Sequence, residues 1–202
     1  MDWSDILGII MAIAVAVGLP LALHSRQKGG QKKAEELCQH LAGMGIKAYP
    51  GKAEIGEGKV KRSRSEKSLG VIEVKQRNID WINIIGVASQ YGANYFVDYL
   101  VRSPNLGVVK LNRTSLRKKK EHSLWGRVST VEWIGDKSLS QSLNLDHRLE
   151  SMLMQSQFGG TIQIVPEPKW GYVRIRTNYF LPSPDVFEAI DIVGEHIRSG
   201  YG

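Results

Sequence analysis

Eighteen consecutive positions, Ile6 to Leu23, carry no charge, and only Gly and Pro interrupt their apolar character. As a helix rising about 1.5 Å per residue, the run spans roughly 27 Å, close to the hydrocarbon core of a bilayer. A core helix of a globular domain would show a polar stripe over that length, and none is present. A secretory signal would carry a basic leader and a small-x-small cleavage site. Here the leader holds Asp2 and Asp5, and Pro20 stands two positions before Ala22, the one plausible last residue before cleavage. The pattern predicts a single transmembrane helix, with its flanks occupying residues 1–28. Gly8, Ala12 and Ala16 recur every four residues and form a small-residue face suited to helix packing within the membrane. Arg26, Lys28, Lys32 and Lys33 follow the run and no Lys or Arg precedes it, so the N-terminus is expected outside and the remainder in the cytoplasm.

From residue 29 to 202 the periodicity changes. Ala34, Leu37, Cys38, Leu41 and Met44 recur at helical spacing, and a short strand, Ile46 to Tyr49, is expected to stop at Pro50-Gly51. Gly51 to Lys67 is rich in Gly, Lys and Arg and reads as a loop or exposed hairpin. Strands are expected at Leu69 to Gln76, Tyr95 to Arg102, Val108 to Asn112 and Leu124 to Ile134. Residues 78–92 fit helix and strand equally well. Leu139 to Met154 is helical with a break near Asn144 to Asp146. Thr161 to Val165 and Gly171 to Phe180 form a hairpin, the second strand alternating Val173, Ile175 and Thr177 against Tyr172, Arg174 and Arg176. The last helix opens on Ser183 as cap, Pro184 and Asp185, and carries Val186, Ile190, Val193 and Ile197 as its stripe. These elements make an α+β domain with mostly antiparallel sheet and packed helices, either whole or as two subdomains at about 29–120 and 121–202.

Composition sharpens the placement. The formal net charge is +7, and leaving out residues 1–23, whose only charges are Asp2 and Asp5, raises it to +9. Such a domain is favoured beside an anionic inner leaflet, at about 1 kcal/mol per Lys or Arg near the surface. The single Cys38 excludes an internal disulfide framework. Asn112-Arg113-Thr114 is formally a glycosylation sequon, usable only if the domain were lumenal.

Catalytic patterns fail on inspection. Counting a phosphate loop from Gly51 puts Glu57 where Lys is required. Counting back from Gly58-Lys59 puts Ala53 at the first Gly and Val60 at the hydroxyl position. Cys38 and His40 stand two apart on a helix and point away from one another, so a buried, inert thiol is expected. His24, His40, His122, His147 and His196 show no ligand spacing, and no metal or other cofactor is implied. Asp191 and Glu195, like charges at i,i+4, read as a wet helix face.

Two basic clusters remain: Lys59, Lys61, Arg62, Arg64 and Lys67, then Arg117, Lys118, Lys119 and Lys120. Solvated loops are the plain reading. Contact with anionic lipid is the functional one, because the anchor keeps these loops near a membrane. Nucleic acid comes third, since no pattern of an RNA-binding module accompanies the cations. The sequence therefore leads to a membrane-anchored binding or accessory module, with a protein partner or self-association left open. An enzyme or ligand sensor whose site is assembled from strand ends is the alternative.

Overall fold

The structure is a computed structural model, which describes residues 31–52, 66–89, 92–103, 106, 112–120 and 128–201. Helix α1 (31–43) precedes strands β1 (Lys47–Gly51), β2 (Glu66–Lys75), β3 (Trp81–Ser89), β4 (Gly92–Arg102), β5 (Thr114–Lys120) and β6 (Val128–Ile134). Then come α2 (Lys137–Leu145), α3 (His147–Gln155), β7 (Gln163–Glu167), β8 (Tyr172–Asn178) and α4 (Pro184–Tyr201). The eight strands form one sheet in the order β1-β2-β3-β4-β8-β7-β5-β6, every pairing antiparallel. The α+β reading holds in this form.

One face carries the main core. Ile72, Val74, Ile82, Ile84, Val97, Tyr99, Val101, Val173 and Ile175 meet Leu37 and Leu41 of α1, Leu143 of α2, Leu149 and Leu153 of α3, and Phe187, Ile190, Val193 and Ile197 of α4. Each fully buried Leu or Ile contributes about 1.5–3 kcal/mol, and this layer holds the fold. Gly70 lets α1 approach β2, since a Cβ there would lie 2.5 Å from the Cβ of Ala34. The predicted cap and the predicted break are both present. Ser183 Oγ accepts the Val186 N–H at 3.4 Å, and the break between α2 and α3 falls at Asp146, whose carboxylate accepts the Leu149 N–H at 2.9 Å.

Several local expectations are corrected. Residues 81–89 are strand, which resolves the open stretch. Pro50 and Gly51 belong to β1, which tolerates a proline because it is the sheet's edge. Arg117 to Lys120 form not a loop but the end of β5, paired with β6 in the register Arg117↔Glu132 and Lys119↔Thr130. Asn112 precedes β5, and Val108 to Leu111 lie outside the described residues. At the other edge, the Asn144 side chain clamps β6. It accepts the Trp133 N–H at 2.7 Å and donates to the Trp133 carbonyl at 2.9 Å, which closes part of an edge that would otherwise invite another strand.

Among the described residues no helix is long and apolar enough to cross a membrane. The run Ile6 to Leu23, with Gly8, Ala12 and Ala16, lies outside them.

Candidate functional site

The antiparallel registers bring a particular set of residues to one end of the sheet. Lys67 of β2 is level with Gly86 of β3, and Gly86 with Tyr95 of β4. Phe96 is level with Asn178 at the close of β8, and the Tyr179 N–H donates to the Tyr95 carbonyl at 2.9 Å. β5 runs in the same direction as β8, since both are antiparallel to β7, so Arg117 to Lys120 point to this same end. The first described turn of α1 is there too, with Lys33 Nζ 4.9 Å from the centre of the Tyr95 ring and 4.2 Å from that of Tyr179. This end also carries the flanks of the connection between β1 and β2, a stretch that includes Lys59, Lys61, Arg62 and Arg64, which lie outside the described residues.

The second cluster does not act as one patch, because a strand alternates its side chains between faces. Arg117 and Lys119 are exposed on one face, and neither forms an ion pair with a described carboxylate, although Glu132 lies opposite Arg117 in the register. Lys118 turns to the helix side. Its ammonium donates to the carbonyl of Phe158 at 3.1 Å and to that of Gly160, and rests over the Phe158 ring. Lys118 therefore stands apart from the exposed pair Arg117 and Lys119. The Lys120 backbone closes β5, and Lys67 is exposed on β2.

The opposite face of the sheet holds a feature no linear motif announced. Asp98 is 0% exposed, and Arg176 grips it with two bonds, Nε to Oδ1 at 2.6 Å and Nη2 to Oδ2 at 2.7 Å. Arg176 Nη1 reaches Glu66 at 2.6 Å. Arg174, 1% exposed, reaches Glu167 at 2.5 Å and stands 3.6 Å from Asp98, while its Nε and Nη1 make no hydrogen bond. Three carboxyls and two guanidiniums leave one excess negative charge, and the whole group therefore favours protons. Burial pushes the carboxyls of Asp98 and Glu167 up, with the nearby guanidiniums pulling the other way. For Arg176, burial opposes the charge, but Asp98 and Glu66 outweigh it and hold the guanidinium firmly protonated. The cluster ties β2, β4, β7 and β8 together. Its members pair chiefly with one another, with Arg174 Nε and Nη1 left without a hydrogen bond, and none of the clefts described below opens onto it.

A second constellation has the composition of a hydrolase triad. His196 Nε2 lies 2.8 Å from Asp146 Oδ2, and His196 Nδ1 lies 2.7 Å from Ser142 Oγ. A carboxylate only accepts, so Nε2 is the donor to Asp146, while Nδ1 and the Ser142 hydroxyl share the second bond. The Arg148 and Leu149 N–H groups at the start of α3, where an oxyanion would sit, are taken by Asp146 itself. Burial pushes the Asp146 carboxyl up, but the bonds from His196 and these amides outweigh it and hold it below its ordinary value. The triad's evident work is to fasten the α2–α3 corner to α4.

The remaining candidates resolve locally. Cys38 is half-buried, its Sγ 3.6 Å from the Ala48 carbonyl, and burial pushes the thiol up. His40 turns away from it to the Pro182 carbonyl at 2.7 Å. Asp191 corrects the wet-face expectation: it is buried, and accepts the Asn78 N–H at 2.8 Å and the Asn78 side-chain amide at 3.2 Å. Among the described residues no three His, Cys, Asp or Glu side chains gather as a metal site.

Two clefts bear on surface chemistry. One, of about 370 Å³, lies along the outer edge of β6 and mixes Arg117 and Lys119 with Glu132 and Glu150. The other, of about 490 Å³, is lined by Lys33, Ala93, Asn94, Tyr95, Phe96, Asn178 and Tyr179. No family model matches the chain, and no curated protein or solved structure matches it either.

Proposed function

We propose that this chain is a single-pass membrane-anchored binding module, non-catalytic, with Ile6 to Leu23 as the anchor. Its α+β domain lies on the cytoplasmic side and rests against the anionic leaflet by the end of the sheet described above. One observation carries the reading: the first described residues of α1, which follow the apolar run in sequence, lie at the same end as Lys67, Arg117 and Lys119. An anchored domain turned this way brings those cations within a Debye length of the headgroups, about 8 Å at physiological salt.

The test is flotation of residues 31–202 with vesicles of phosphatidylcholine, with and without phosphatidylserine, at low and high salt. The expected result is weak binding that needs phosphatidylserine and disappears at high salt. Equal binding to neutral vesicles, or stronger binding to a single-stranded oligonucleotide at the same salt, would remove the lipid reading. The orientation is checked separately in cells. A reporter active only in the cytoplasm, fused after Gly202, should give signal, and protease added outside should leave the domain intact.

A further inference from the structure

We propose that the cleft between Lys33, Tyr95 and Tyr179 seats the phosphate of one anionic lipid headgroup. The proposal rests on the membrane-facing reading and adds to it a single discrete site. Lys33 is half-buried, and its ammonium is held over two tyrosine rings. No described carboxylate pairs with it. Glu36, one helical turn on and the nearest acid in sequence on that side, accepts instead from the Tyr179 hydroxyl at 3.0 Å. The same hydroxyl lies 3.0 Å from the Lys33 carbonyl, so its one proton has two acceptors on α1. Burial, reinforced by Glu36, pushes the Tyr179 hydroxyl up, which keeps it neutral and a donor.

The result is an ammonium positioned by ring faces, with its N–H groups making no hydrogen bond to another described residue. Ring faces attract a cation without consuming its donors. A phosphate oxygen accepts what the rings cannot. Asn94 and Asn178, both exposed on the cleft wall, bring amide donors to the same space. The cleft's volume of about 490 Å³ suits a headgroup rather than a lone ion. Position favours lipid over a free phosphate ester. Ten residues separate Lys33 from Leu23, at most about 35 Å of extended chain, and tyrosines are common at the headgroup level of a bilayer.

The experiment uses the full chain in detergent, titrated with phosphatidylglycerol or phosphatidylcholine and read by native mass spectrometry. Wild type should retain phosphatidylglycerol in preference to phosphatidylcholine. Lys33→Gln should weaken that retention about five-fold, the expected loss for one cation near an anionic headgroup, and Lys33→Arg should restore it. Equal retention of the two lipids by wild type overturns the site. So does retention in Lys33→Gln equal to wild type, and if Arg117→Gln with Lys119→Gln still weakens vesicle binding about 25-fold, only the cleft falls and the membrane-facing reading stands. Inorganic phosphate that displaces the lipid at equal concentration identifies a free-phosphate site and overturns the lipid assignment.

Discussion

The two ends of the sheet use charge in opposite ways. At the end that carries the β2–β3 turn, carboxylates close the structure. Asp191 binds Asn78 twice and faces Arg77 at 3.8 Å, and Asp80 accepts the Arg102 N–H at 2.7 Å and pairs with Arg198 at 2.9 Å. Glu188 joins Arg77 and Arg148, each at 2.9 Å. At the other end, Lys33, Arg117 and Lys119 have no such partner among the described residues. Charge spent on turns and caps contributes to stability, whereas charge left unpaired at a rim contributes little to it and remains available to a ligand. Substitutions should therefore separate stability from binding along the length of the sheet.

The largest effect is expected between the two ends, in the buried ion cluster. Arg176→Met leaves Glu66, Asp98 and Glu167 facing the single guanidinium of Arg174, and should cost about 3–5 kcal/mol by chemical denaturation. Asp98→Asn should cost less, although Asp98 is the most buried member, because it removes the excess negative charge and leaves Arg174–Glu167 and Arg176–Glu66 as balanced pairs. The pH dependence follows from the same excess. Carboxyls whose folded pKa is raised bind protons in the native state before the unfolded chain does, so their contribution falls as pH rises through the folded value. Arg176→Met should accordingly regain part of its loss as pH is lowered from neutrality. An Asp98→Asn variant less stable than Arg176→Met would refute the charge-excess account.

At the turn end, Asp191→Ala strands the Asn78 N–H and should cost about 1–3 kcal/mol. The matching change at the opposite end, Lys33→Gln, should cost about 1 kcal/mol, for the loss of its two ring contacts.

How much of this could be read in advance differs by element. The last helix was legible because its cap, its first proline and its stripe are all local. So was the alternation of β8, although pattern alone could not say that both of its faces are buried. The basic strand β5 was not legible. Arg and Lys have little strand propensity, and what makes 117–120 extended is its pairing with β6, not its own composition. The ion cluster was equally hidden, since Glu66 and Arg176 stand 110 residues apart and only register brings them together. Asp98, a lone acid between Phe96 and Leu100 on one strand face, was the single hint. Asp191 misled because its partner, Asn78, is 113 positions away, while Glu195 is four.

A smaller effect is expected at the α2–α3 corner. Asp146 has a folded pKa below its ordinary value, so its contribution is present above the unfolded pKa and is lost as pH falls through the folded one. Asp146→Asn should cost about 1 kcal/mol at neutral pH, the usual worth of a helix cap. Wild type and variant should converge in acid. A gap that stays constant down to the acid transition would mean that shape rather than charge holds the corner.

The smallest effect on stability belongs to the exposed cations, and there the comparison is sharpest because neighbours on one strand should behave differently. Arg117→Gln with Lys119→Gln should change stability by no more than about 0.5 kcal/mol, both side chains being exposed and without a carboxylate partner. The same pair should weaken binding to phosphatidylserine vesicles about 25-fold, at about 1 kcal/mol for each cation. Lys118→Gln, the residue between them, should do the reverse. It loses the bonds to the Phe158 and Gly160 carbonyls and its place over the Phe158 ring, so about 1–3 kcal/mol of stability should go while vesicle binding stays close to wild type. Equal effects of all three lysine and arginine changes on binding would mean that net charge alone attracts the protein to lipid, and that the side of the strand on which a cation stands does not matter.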